Sequence, residues 1–285
     1  MHQKQHTLWL LAALAAPLSH FSGSGWLSNL LAALTVLPLW LLPKNWEGLS
    51  KPVACIQILW LGIVAGHLLG FSAGNWPSNS GLAVPLTILA LAALTDTASA
   101  PRLGAVLAMC MGLLTVPAAA SAAARIEFRW LTPALGEWPW GVALSLLLGC
   151  LPVGRRERGR DVSAAAALAV LLGSVVQGTI SLETAASVPD PFYQTARALG
   201  HMEPILAAGI TLGWYALTVR LLQSAAILAK NSETEGKKAR VLLLGTAAMT
   251  LLFKVQLSAT KMTVLSTFLW VLVPFLTKKE KTEKR

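Results

Sequence analysis

Few side chains in this sequence can carry charge or move a proton, and several of them sit where charge is expensive. His67 falls near the middle of an apolar run from Val53 to Phe71, and Ser19 and His20 close a run that begins at Thr7. Asp96 ends a run from Leu82, Glu203 opens one that continues to Ala229, and Arg220 lies inside that last run. An ionisable group at membrane depth is costly and persists where it pairs, lines a pathway or meets a ligand. His67 is the deepest. It suits ligand contact or proton relay, and equally a neutral imidazole hydrogen-bonded between helices. Glu203 suits the positive end of a helix dipole or a ligand or partner role. The long stem of Arg220 can carry its head toward an interface. Tyr215 and Trp214 can wall a site or simply pack.

Catalysis finds little to work with. Ser24 between glycines, with His67 on another run, is the one pairing that resembles a serine nucleophile and its base. There is no G-x-S-x-G, no pair of carboxylates beside a histidine cluster and no metal-ligand spacing. Cys55, Cys110 and Cys150 all lie in apolar runs and read as small packing residues. Neither enzyme activity, a cofactor nor a metal is expected.

The elements that hold these groups follow from composition. Hydrophobic residues make up 55% of the 285 and charged residues 13%, against roughly 25% charged in ordinary soluble domains. Apolar runs recur at the length that spans a hydrocarbon core. Ten spans are expected: Thr7 to Phe21, Trp26 to Leu42, Val53 to Phe71, Leu82 to Thr95, Leu103 to Ala124, Trp138 to Val153, Ser163 to Ile180, Pro204 to Ala229, Val241 to Phe253 and Met262 to Thr277. The fold class is an all-α integral membrane protein forming one transmembrane domain over 1–285.

Charge sets the direction, because Lys and Arg of short loops stay in the cytoplasm. With the N-terminus inside, the inner segments hold Lys4, Lys44, Lys51, Arg102, Arg155, Arg156, Arg158, Arg160, Lys230, Lys237, Lys238, Arg240 and the basic tail 278–285. Outside fall only Arg125, Arg129, Arg197, Lys254 and Lys261. Both termini are therefore expected in the cytoplasm. The start of the chain has the outline of a signal peptide, but removing it would invert this bias, so a retained first helix is expected. Trp26, Trp76, Trp130, Trp138 and Trp140 fall at outer ends and Trp40, Trp46 and Trp270 toward inner ends, as interface-seeking rings should. The net charge of +10 then reflects topology and contact with anionic lipid rather than nucleic acid, since no soluble domain carries it.

Ten spans divide into two sets of five, residues 1–125 and 126–277, followed by a cytoplasmic tail 278–285. The first span carries Pro17 and runs into Ser22, Gly23, Ser24 and Gly25. The sixth is short and bounded by Pro139, Trp140 and Gly141 and by Gly149 to Pro152. Interrupted spans at corresponding places in two halves point to an inverted-repeat transporter bundle with broken helices 1 and 6. Freed backbone groups there would line a cavity or hold a ligand.

Several stretches resemble the spore germination permease family, the B subunit of germinant receptors, within the amino acid/polyamine/organocation transporter superfamily. They are Leu131 to Gly136, Pro191 to Arg197, Gly200 to Glu203 leading to Trp214, and Val273 to Lys279, with Gly25 to Ser28 and Trp76-Pro77 in the first half. The likeness runs over nearly the whole chain and is that of a short or divergent member. It implies a receptor subunit in the spore inner membrane or cell membrane that binds a small nutrient, an amino acid or similar, at mid-membrane. It also implies partner subunits, a membrane protein with soluble domains and a lipoprotein. A secondary amino-acid transporter, an intramembrane enzyme and a ligand-free scaffold are the alternatives.

In such a fold the ligand lies between spans one and six and the faces of three and eight. The expected ligand-binding residues are Pro17, Ser19, His20, His67, Trp140, Gly141, Ser145 and Tyr215, with Glu203 and Arg220 structural or coupling. No acidic residue stands at the expected breaks, so a neutral zwitterion fits better than a polyamine, whose second charge would lack a buried partner.

Overall fold

The computed structural model describes residues 2–76, 81–96, 100–135, 137–152, 159–198, 202–232 and 235–277. Among these residues there are helices and turns and no strand. Gly136, Gly200 and His201 of the resembling stretches, Pro77, Arg155, Arg156, Arg158 and the tail 278–285 lie outside them.

The first half holds α1 (His2–His20), α2 (Trp26–Val36) continued by α3 (Pro38–Leu41), α4 (Lys51–Gly70), α5 (Ala83–Leu94) and α6 (Ala100–Ala123). The second holds α7 (Trp140–Leu147), α8 (Gly159–Ile180), the short α9 (Leu182–Ser187) and α10 (Pro191–Ala198), then α11 (Glu203–Asn231), α12 (Gly236–Leu252) and α13 (Ala259–Thr267). A π-turn, Phe268–Leu272, widens the last helix before it resumes to Thr277. Prolines open α3, α4, α10 and α11, where a missing N–H costs nothing. Asp190 caps α10 by accepting from the Tyr193 amide at 3.1 Å, the usual service of an N-cap carboxylate.

Four helical stretches are long and apolar enough to cross a membrane: Lys51–Gly74, Arg160–Ile180, Glu203–Asn231 and Ala259–Thr277. Trp26–Leu41, Ala83–Leu94, Arg102–Leu114 and Trp140–Cys150 are shorter apolar helices. The outer surface is apolar as well, with Leu94 85%, Leu113 78% and Val241 70% exposed. So much bare hydrocarbon suits lipid and not water.

Contacts sort the helix ends into two groups. Thr7 donates to Asp161 at 2.6 Å, Trp9 packs on Gly104, and Arg240 caps carbonyls at the end of α5; these contacts gather near one end, the basic end. At the other, loop-rich end His20 meets Asp190, Trp76 donates to Thr211 at 3.0 Å and Thr263 donates to the Trp140 carbonyl at 2.9 Å. The closest pairing is α4 with α12. Gly62 and Gly66, four residues apart, face Leu243 to Thr250 in increasing order, so the two helices run parallel. A Cβ on Gly66 would stand 2.5 Å from the Ala247 carbonyl oxygen; small residues at this spacing let helix backbones touch.

Some pairings have counterparts in the other half and others do not: α1 and α6 both pack on α11, while among the described residues α7 and α13 make no comparable contact with α4. Helix α1 lies on α6 as α7 lies on α13, α1 on α8 as α7 on α2, and α4 on α12 as α11 on α5. The pairs α1 with α7, α2 with α8, α4 with α11 and α5 with α12 also pack together.

Non-helical backbone is expected near Ala16 to Ser19 and about Gly141 to Ser145, and the structure has helix at both. Helix α1 runs unbroken through Pro17, and its ladder continues with Phe21 N donating to the Pro17 carbonyl at 3.1 Å. Helix α7 is continuous over Gly141 to Ser145 and extends as a tight turn to Cys150. Proline removes one donor and disturbs one carbonyl, a loss that packed membrane helices absorb. Irregular backbone begins just beyond, at Ser22–Ser24 and at Gly25, whose φ is 83°. There a Cβ would also meet the Gln177 side chain.

Candidate functional site

The loop-rich ends of α1, α4 and α7 converge on a polar and aromatic node. Helix α1 ends in His20, which is buried, and Phe21 follows it. Helix α4 brings His67 one turn before Phe71, spacing that puts both rings on one face. The His20 ring stacks on Phe71 with centroids 4.0 Å apart and 24° between planes. Phe21 meets His20 edge-on at 4.8 Å and Phe71 at 5.6 Å. His67 approaches the same Phe71 edge-on at 5.2 Å and donates Nδ1–H to the Val255 carbonyl at 3.3 Å. Gly141 lies under Phe21 so closely that a Cβ would stand 2.2 Å from the ring. Only glycine leaves room for it.

Asp190 completes the node. Its Oδ2 accepts from His20 Nδ1 at 3.3 Å while its Oδ1 caps α10. The carboxylate thus ties the end of α1 to the short α9 and α10. The Ser22–Ser24 turn packs against the same pair, with Gly23 against Ala185 and Pro191. Sequence reading missed Asp190 because it lies outside every apolar run. The signal was present as Asp-Pro, an N-cap followed by proline at the first helical position.

Of the expected ligand residues, His20, His67 and Gly141 are brought together here. The others are used elsewhere. Ser19 donates to the Ala16 carbonyl at 2.8 Å and Ser145 to the Gly141 carbonyl at 2.7 Å, both within their own helices. Pro17 is a helical residue of α1. The Trp140 ring is partly exposed against Trp138, with centroids 6.1 Å apart. Tyr215 shares a 2.6 Å hydrogen bond with Thr95, on the side of α11 that faces α5. Glu203 opens α11, 4.0 Å from Arg197, a partly exposed pair of small energetic weight. Arg220 is buried within α11, at 2% exposure. Cys150 is buried and Cys55 half-buried, as packing residues should be, but Cys110 is exposed on α6.

On another face of α1 lies a cavity of about 290 Å³, bounded by α1, α6, α8, α10 and α11. Its walls are apolar except for the hydroxyls of Ser19 and Thr195. Ser19 is the one expected ligand residue that lines it. No group of three His, Cys, Asp or Glu able to hold a metal occurs among the described residues. Set against known proteins, the chain matches no family model and no curated sequence.

Proposed function

We propose that the chain is a permease-like membrane subunit of the spore germination type, which binds a small zwitterion inside a five-plus-five helix bundle. What supports this reading is packing: α1 on α6, α1 on α8 and α4 on α12 have counterparts in α7 on α13, α7 on α2 and α11 on α5. Pseudo-twofold construction of this kind is how secondary transporters frame a central site. The basic end faces the cytoplasm with both termini, and the node lies toward the outer side. His20, His67 and Asp190, beside the start of α7 at Gly141, give the ligand polar contacts there. As a germinant receptor subunit it passes occupancy to partner subunits.

The test is thermal unfolding of the detergent-purified protein with neutral amino acids. A ligand at a hundred times its Kd adds about 2.7 kcal/mol of stability. Stabilisation by at least one amino acid, lost in His67→Ala and His20→Gln while both variants reach the membrane normally, supports the reading. No response to any small zwitterion across the series counts against it.

A further inference from the structure

The cavity beside α1 has a shape and chemistry unlike the node. It runs along α1 from Leu8 to Ser19, about 16 Å at the helical rise per residue. With about 290 Å³ over that length, the cavity is an elongated apolar groove with room for an extended hydrocarbon chain. Small side chains make the trough: Ala12, Ala15 and Ala16 on α1 and Ala108 on α6.

The polar atoms of the walls are spoken for. Ser19 donates to the Ala16 carbonyl at 2.8 Å and Thr195 to the Pro191 carbonyl at 3.0 Å. Both hydroxyls lie at the loop-rich end, and everything below them is hydrocarbon. A zwitterion placed there would lose its water and gain almost nothing in return. At the rim Leu171 is 60% and Leu8 39% exposed, while Ala12, Ala16 and Leu172 behind them are buried. The mouth therefore opens sideways, on the surface that faces lipid, and not toward either loop end.

We infer that this cavity holds one acyl chain of a bilayer phospholipid, which enters laterally past Leu8 and Leu171 and lies along α1 against Ala12, Ala15 and Ala16. The inference rests on the membrane placement of these helices and not on the identity of the ligand at the node. A lipid chain here touches α1 below the node and also α10, which Asp190 ties to His20. Bilayer composition then acts on the same helix that closes the polar cluster.

The experiment reconstitutes the full-length protein in vesicles containing a phosphatidylcholine with a photoactivatable diazirine midway along one acyl chain, and maps the adducts by peptide mass spectrometry. Lipid in the cavity labels buried wall residues such as Ala12, Leu172 and Ile210. Lipid merely surrounding the protein labels only exposed residues such as Leu94, Leu113 and Val241. Filling the trough with Ala15→Phe or, independently, Ala108→Phe should remove the wall adducts and leave the surface adducts unchanged. The position of the adducts in the unaltered protein needs no variant. Adducts confined to exposed residues, wall adducts that survive in both filled variants, or wall labelling by a diazirine fatty acid with none by the phospholipid would overturn the proposal. Amino-acid stabilisation measured in parallel separates this outcome from the reading of the node.

Discussion

Helix α1 serves two regions built on opposite principles. At its end, His20 and Phe21 enter a node where every contact is specific: a carboxylate on one imidazole nitrogen, a stacked ring, a glycine with no space above it. A few residues earlier, Ala12, Ala15 and Ala16 face a cavity where nothing is specific except its apolar lining. The node is defined by what touches and the cavity by what is missing. Mutations should therefore act oppositely: added atoms harm the first and are welcome in part of the second.

The largest expected effect is Gly141→Leu, which drives a side chain into Phe21. Overpacking of this kind costs about 3 kcal/mol, and the loss should appear as a sharply lower unfolding temperature or little protein in the membrane. Normal stability would show that the node is looser than its geometry. Next is Asp190→Ala, which removes the cap of α10 at about 1 kcal/mol and strands the buried His20 N–H at about 1–3 kcal/mol. Asp190→Asn keeps one acceptor, enough for the α10 cap but not also for His20 Nδ1–H, and should lose less than Asp190→Ala in the same melt.

Adding bulk on the cavity side sharpens the contrast. Ala16 is wedged against Gly213, where a new Cβ would stand 2.8 Å from the Ala16 Cβ, so Ala16→Leu should cost about 1–3 kcal/mol. Ala15→Leu, which also faces the cavity but is not the residue set against Gly213, should be neutral or stabilise delipidated protein by up to about 1 kcal/mol. That gain should vanish when phospholipid is restored. The smallest effect is Ser19→Ala, within about 0.5 kcal/mol, because its hydroxyl serves only its own helix. A larger loss in ligand response would mean that Ser19 reaches the ligand after all.

Much of the helical layout was legible because apolar runs announce themselves. Each of the ten expected runs overlaps a helix, and the errors lie where polar residues continue one: α12 begins at Gly236, ahead of the apolar start at Val241, since Lys237, Lys238 and Arg240 occupy its first turns. What could not be read was anything set by contact between runs. Gly62 and Gly66 look like any membrane glycines until α12 is beside them. Glycine and proline in the first and sixth spans suggested broken backbone, yet the chain keeps its helices and places the irregular residues one turn outside. For the candidate site, the two histidines were visible as costly charges in lipid. Their partners were not, because Asp190 belongs to a short polar helix and Phe21 and Phe71 are ordinary apolar residues until rings are stacked.

The π-turn Phe268–Leu272 in the last helix changes how that helix keeps phase. One widened turn takes up an extra residue, so the faces before Phe268 and after Leu272 are out of step by about 100° of rotation. The Leu269 carbonyl inside this turn is the one that receives the Gln57 amide at 2.7 Å. Any stripe of side chains counted across the turn by a regular period is therefore mistaken by one position beyond it. A single-residue deletion within 268–272 should be tolerated far better than one elsewhere in the helix, relaxing the turn to ordinary winding and releasing Gln57, while a deletion before Phe268 would turn Ser266 and Thr263 away from their neighbours.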